Sequence, residues 1–420
     1  MREGSVTKNY IYPLTIIGAM FFIFGFITWA IGVLIPYLQI ACELTNLQSM
    51  LVGSAFYVSY FVMSPVSGYI LKKLGYKNAL VAGLICMAIG SLIFVPAANQ
   101  RAYPIFLLAL FVQGLGMAIL QTAANPYVTI LGPIESGAKR MSIMGICNSI
   151  AAIIGPAILG SIILQDADNI TATITKMSPA QKAVVLDGLA SKVIVPYIVI
   201  AVVLALIAIA IYYSRLPEPA IEEEEGEATA YSAGKTSILQ FPHLLLGVFT
   251  LFIYVGVEVI AGNTIAGYGA FLGISYSYTK FFTSLTLGGM FLGYIIGISL
   301  IPKYLSQENA LKISAILGMV FVLLAIFSSG WTSVMFIALL GLANSLMYPA
   351  IWPLALEDVG RFTKTASTLL VAAIVGGAVL PLIYGALADA FDQRHAYWMV
   401  IPGYFIIALY AFWGHKVRTK

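Results

Sequence analysis

Most of the charge in this 420-residue chain lies in short breaks between long apolar runs or at the ends of those runs. About twelve such runs can be drawn: 13–40, 47–71, 78–97, 102–131, 138–164, 193–214, 240–271, 277–302, 309–328, 331–356, 365–388 and 396–414. A helix crossing a bilayer needs ~20 mostly apolar residues, which each run supplies or approaches. Charged residues make up 10% of the chain and hydrophobic ones 60%, whereas a soluble domain carries roughly 25% charged residues. No water-soluble core hides that much apolar surface, so lipid is the solvent and the helix is the expected element. The fold class is therefore an all-α membrane protein with twelve transmembrane helices.

Lys and Arg favour cytoplasmic loops. With the N-terminus inside, the outer segments hold only Arg101, Lys176, Lys182, Lys192, Lys280 and Arg394 of the 22 basic residues. Both termini are thus expected in the cytoplasm, with the chain in the plasma (inner) membrane. Arg2 and Lys8 precede a long apolar run without a convincing cleavage site, which reads as an uncleaved first span. A net charge of only +4 makes nucleic acid an implausible partner. Cys42, Cys86 and Cys147 are isolated and offer neither a disulfide framework nor a zinc site. His243, His395 and His415 lie at span ends without metal spacing or a nucleophile, so enzyme chemistry is not expected.

The most polar internal stretch runs from Arg215 to Lys235, with Pro217, Pro219 and the acidic run Glu222–Glu225. It reads as a cytoplasmic linker (216–235) between a six-helix bundle over 1–215 and another over 236–420. A second polar stretch, Asp166 to Lys192, reads as an outer loop with room for a short interfacial helix. Ala151–Gly160 in the fifth run matches Ala372–Pro381 in the eleventh at six of ten positions. Gly145, Ala151, Gly155, Gly376 and Gly377 would let helices approach closely. Two related halves around a midplane site form a transporter plan.

Glu258, in Tyr254-Val-Gly-Val-Glu258, is the one acid well inside an apolar run. A charge at that depth costs ~2.5–3.5 kcal/mol on insertion scales, so its retention points to function, the plain alternative being a bond across a helix interface. The fourth run carries Gln113, Gln121 and Asn125, the last two sharing a helix face. The tenth places Asn344, Tyr348 and Trp352 on one stripe, and the first carries Trp29. Amides supply paired donors and acceptors and aromatic rings supply flat apolar faces, which together suit a sugar. The competing reading is interhelical glue for the amides and packing for the rings. Gly68, Lys72, Lys73, Gly75 and Lys77 form a tight basic turn between the second and third runs, either a gating loop or ordinary cytoplasmic cations.

The loop from Gly68 to Lys77, Ala124-Asn125-Pro126-Tyr127, Tyr254 to Glu258, and Tyr348-Pro349 with Thr363, Lys364 and Ser367 resemble the fucose/galactose/glucose symporter family of the major facilitator superfamily. Phe24-Gly25-Phe26 through Cys42-Glu43-Leu44 resembles the branch that takes glucose, galactose or N-acetylglucosamine. Three departures stand out. The family's loop motif carries an Asp where Lys72 stands. Its proton-coupled fucose members have an acid where Gly32 stands and a glutamate where Gln121 stands. Asn263 occupies a position that is acidic in several relatives.

The resemblance implies the major facilitator fold and a hexose importer of the glucose/galactose type, driven by a cation through alternating access. Gln121, Asn125, Asn344, Tyr348, Trp352 and Trp29 are the expected sugar contacts, and Glu258 with Asn263 the expected coupling site. Co-transported Na⁺ or H⁺ takes the place of a cofactor. Burial disfavours a carboxyl's charged form, which suits H⁺, whereas Na⁺ needs several oxygens, which Glu258, Asn263 and backbone carbonyls would supply. The missing proton-family acids tilt the reading slightly to Na⁺. The partners expected are a small-molecule sugar and the bilayer, with a monomer as the working unit. The alternatives are an uncoupled uniporter, an N-acetylglucosamine symporter, or drug or lipid efflux, whose pocket would be more uniformly apolar.

Overall fold

Twelve helices among the described residues are long and apolar enough to cross a membrane. The computed structural model describes residues 11–130, 137–216, 234–301 and 304–419. In order, the spans are Tyr12–Ala41, Asn46–Leu71, Lys73–Asn99, Tyr103–Ala124, Ile143–Ile163, Pro179–Tyr213, Pro242–Phe271, Tyr276–Leu300, Gln307–Phe327, Gly330–Leu356, Thr365–Ala390 and Gln393–Val417. Each overlaps an apolar run of the sequence, although the sixth begins 14 residues before its run at 193–214. Most of the linker expected over 216–235 lies outside the described residues.

The stretch from Asp166 to Lys192, expected as an outer loop with a short interfacial helix, holds two helices. Ala167–Thr173 forms one short helix and Pro179–Ser191 another, joined by a brief turn to Ile194–Tyr213. The second is written in its first residues: Ser178 caps the N-terminus, Pro179 occupies the first turn, and Gln181 reaches back to close a capping box. The Tyr37 hydroxyl lies 2.7 Å from the Leu189 carbonyl and 2.8 Å from that of Ala190, docking this helix on the first span.

Two spans are broken. In the tenth, helix ends at Asn344 and resumes at Met347, because Pro349 has no N–H for the Ser345 carbonyl and its ring crowds that oxygen. In the eleventh, helix stops at Ala373 and restarts at Gly376. Near the start of the third span Gly75 adopts φ 76°, ψ 173°, a turn that a Cβ would oppose.

Packing repeats between the first six spans and the last six. A Cβ on Gly25 would lie 2.0 Å from the Asn148 carbonyl oxygen, so the first and fifth spans touch backbone to backbone. The seventh and eleventh do the same through Gly376, whose Cβ would sit 1.8 Å from the Phe252 oxygen. Gly155 and Gly377 also meet neighbours, but nothing lies within 4 Å of a Cβ on Gly145, so that glycine serves no close approach here.

The bonds joining the two sets of six are reciprocal as well. Ser54 of the second span donates to the Ala378 carbonyl of the eleventh at 2.6 Å, and Ser284 of the eighth to the Ile153 carbonyl of the fifth at 2.7 Å. Asp389, ending the eleventh span, accepts from the backbone of Asn46 and Leu47 at the start of the second, each at 2.8 Å. Asp168, following the fifth, accepts from Tyr276 N at 2.8 Å and from Ser275 Oγ at 2.7 Å at the start of the eighth. Each set of six therefore caps a helix start of the other, and the face bearing the 42–45 turn is held shut.

At Asp168 desolvation opposes ionisation, but the bonds from Ser275, Tyr276 and Ser277 outweigh it and hold the carboxyl below its ordinary 3.8. Its contribution to closure is complete above that ordinary value and fades as pH falls through the lowered one. Asp168→Ala or Asp389→Ala should weaken closure about fivefold at neutral pH, since losing a helix cap costs ~1 kcal/mol. Cross-linking of a cysteine pair placed across this face measures it, and unchanged rates in both variants would refute the clasp.

Candidate functional site

Glu258 lies midway along the seventh span and is half-buried. Tyrosines from five spans surround it within electrostatic reach: Tyr57 of the second, Tyr254 of the seventh, Tyr294 of the eighth, Tyr348 of the tenth and Tyr404 of the twelfth. Tyr254 stands one helical turn before Glu258, and its hydroxyl donates to the Asn344 carbonyl at 3.2 Å. One of the five comes from the first six spans and four from the last six. The acid therefore faces the junction between the two sets, not lipid. Phenol rings give an apolar wall and their hydroxyls supply both donors and acceptors.

The predicted aromatic stripe joins this ring. Tyr348 stacks on Trp352 with centroids 5.5 Å apart and planes at 28°, and both are half-buried. Tyr348 also meets Tyr254 at 6.3 Å. Trp29 arrives from the opposite side: a Cβ on Gly262 would meet its ring at 2.4 Å, and Gly262 lies one turn beyond Glu258 on the same helix face. Trp29 and Tyr294 pack on one small apolar cluster with Ala152, Leu287 and Met290. Stacked rings with open edges beside a lone carboxyl make a surface for a polar, C–H-rich ligand.

The amides divide. Asn344 is 1% exposed: its side-chain oxygen accepts from the Tyr404 hydroxyl at 2.8 Å, and its carbonyl accepts from Tyr254 at 3.2 Å. It fixes two tyrosines of the ring. Gln113 donates to Ser91 at 2.7 Å, tying the fourth span to the third. Gln121 is half-buried, with no bond to the ring among the described residues. Asn125 sits in the Tyr103–Ile130 helix, but its side chain lies outside the described residues.

Asn263 does not join Glu258. Five residues further along one helix, it sits about 140° round the axis, given 100° per residue. It is 2% exposed, and both its amide atoms are buried without a partner among the described residues. It lines a small, partly open space of about 10 Å³, room for about one water, together with Gln39, Asn46, Thr264 and Gln393. Gly32, where the resemblance places an acid in fucose permeases, is pressed against Thr283: a Cβ would sit 2.6 Å from its Oγ1 and 3.1 Å from the Gly262 carbonyl oxygen. In the basic turn, Lys77 donates to the Ser214 carbonyl at 2.8 Å, capping the sixth span. Lys73 and Gly68 are exposed, Gly75 makes the turn, and the Lys72 side chain lies outside the described residues.

Comparison with known proteins gives a family match to the Major Facilitator Superfamily over residues 17–372. The chain belongs to that superfamily. It is a transporter and not an enzyme. A protein named glucose/galactose transporter from Brucella abortus biovar 1 (strain 9-941) is 36% identical over 417 residues, covering 99% of this chain and 97% of its own. The L-fucose-proton symporter of Escherichia coli (strain K12) is 29% identical over 393 residues, covering 93% and 90%. Among solved structures, the superfamily transporter FucP in its outward conformation superposes with a TM-score of 0.70 at 29% identity, covering 96% of this chain and 99% of that one. The resemblance to the fucose/galactose/glucose symporters therefore extends over nearly the whole chain.

Tyr57, Tyr294 and Tyr404 were not singled out from the sequence. Nothing marks them there, because 24 tyrosines are spread along the chain and a ring inside a span usually just packs.

Proposed function

We propose that this protein carries a hexose across the plasma membrane together with a proton, by alternating access between residues 1–215 and 236–420. The observation that carries the proposal is the half-buried Glu258 in a ring of tyrosines drawn from both sets of six spans. A pyranose stacked on Tyr348 and Trp352 places its hydroxyls among phenol groups and within reach of the acid. The relatives' names, glucose/galactose transporter and L-fucose-proton symporter, support both a hexose and a proton. The separation of Asn263 from Glu258 removes a side-chain oxygen on which a sodium shell would draw. A single carboxyl that gains and loses a proton then suffices for coupling.

The test is uptake of a panel of labelled sugars, including glucose, galactose, fucose and N-acetylglucosamine, into vesicles under imposed H⁺ or Na⁺ gradients. Uphill uptake of a hexose under the H⁺ gradient alone is expected. Uphill uptake under Na⁺ alone returns the coupling ion to sodium, and uphill uptake under neither makes the protein a uniporter. Trp352→Ala should raise KM for the sugar about tenfold, or ~1.4 kcal/mol of binding. Initial uptake rates measure it, and an unmoved KM removes Trp352 from the pocket.

A further inference from the structure

We propose that Asn263 and the amides across the outer seam from it hold one ordered water, bound only while that face is closed. Asn263 is buried, and both ends of its amide lack a partner among the described residues. A buried donor and acceptor left unmade are costly, so the pair points to a ligand within reach. The space beside it measures about 10 Å³, room for about one water. Nothing in this site depends on how Glu258 couples transport.

Its walls come from both sets of six spans. Gln39 of the first span and Asn46 and Met50 of the second stand on one side; Asn263 and Thr264 of the seventh and Gln393 of the twelfth stand on the other. Asn46 Oδ1 accepts from Gln39 Nε2 and from Gln393 Nε2, each at 3.1 Å, and Asn46 Nδ2 donates to Asp389 at 2.9 Å. Thr264 Oγ1 is engaged with the Ile260 carbonyl and the Tyr397 hydroxyl, each at 2.7 Å. Each glutamine therefore uses its NH2 group on Asn46 and keeps an amide oxygen for a further donor.

The donor set selects water over a cation. Whichever way the Asn263 amide is turned, one NH2 group and one carbonyl remain to be served. Water accepts from the first or donates to the second, and it has hydrogens left for a glutamine oxygen. A monovalent cation serves only oxygens and leaves the NH2 group buried and unmet. A sugar is far too large for the space. Because both sets of spans wall it, closing the outer face traps the water and opening that face returns it to solvent. Asn263 then meets a hydrogen-bonding partner in both states, so the middle of the seal is wet and parts without stranding a polar group.

X-ray radiolytic labelling tests this on protein whose outer face is held closed by a cross-linked cysteine pair. A bound water split in place yields a hydroxyl radical that oxidises the nearest methionine. Met50 lines the space and is 5% exposed; Met87, 0% exposed and packed on Gly116, is the buried reference. Met50 should gain oxygen about fivefold faster than Met87 or more, since a trapped water is retained at its polar partners. Equal rates overturn the site. In Asn263→Leu the Met50 rate should fall to that of Met87, and formation of the cross-link shows that the variant is folded. An unchanged rate means that radicals from bulk solvent reach Met50, and it overturns the site too. If the variant forms no cross-link, the comparison of Met50 with Met87 in the unaltered chain decides. Replacing choline by Na⁺ should leave Met50 labelling as it is; labelling that disappears with Na⁺ makes the occupant a cation and refutes the water.

Discussion

Vesicles carrying Glu258→Gln are expected to equilibrate sugar and never to concentrate it. The amide keeps the shape of the side chain and its reach to Tyr254, but it has no proton to exchange. A gradient of ~1 pH unit is worth ~1.4 kcal/mol and sustains about tenfold accumulation by one proton per sugar. In the variant the inside-to-outside ratio should fall to about 1, while exchange of labelled for unlabelled sugar persists at a measurable rate. The ratio at steady state is the measurement. Accumulation equal to wild type would remove Glu258 from coupling altogether, and the tyrosine ring would then be a binding surface only.

Gly32→Asp is the second large effect. It introduces the acid that the family resemblance places at this position, and it is expected to abolish transport, not to improve it. The new Cβ would lie 2.6 Å from Thr283 Oγ1 and 2.7 Å from its Cγ2, and Thr283 is β-branched and bonded to the Gly262 carbonyl at 3.0 Å. A side chain so held does not swing away. Overpacking of this kind costs ~1–3 kcal/mol, so the closed face should lose about five- to 150-fold in population. Initial uptake together with cross-linking across the face measures it. Normal uptake by Gly32→Asp would mean that the first and eighth spans never come this close during transport. Gly32→Ala, which adds only the Cβ, is expected to fall between the two.

The twelve spans were legible because each is a local property: ~20 residues with charge only at the ends. Glu258 was legible for the same reason, as a charge where none is cheap. The Tyr348–Trp352 stripe followed from helical spacing. The rest depends on which spans face each other, which no short stretch of sequence encodes. Tyr57 and Tyr404 reach Glu258 from opposite ends of the chain. Asp168 and Asp389 read as ordinary loop and span-end acids, because their partners lie more than a hundred residues away. Asn344 stood evenly between sugar contact and helix glue on sequence, and its bond to Tyr404 shows how it supports the ring. Pairing Asn263 with Glu258 overlooked helical phase. Residues five apart point to different neighbours.

The reciprocal capping by Asp168 and Asp389 resembles two hands each gripping the other's wrist. Neither bundle lets go first, so the grip yields as one event. The Asp168 carboxyl stays ionised through the whole neutral range, so at that point the grip is deaf to ordinary swings in external acidity. Acid-sensitivity of transport near neutrality then has an origin other than this clasp.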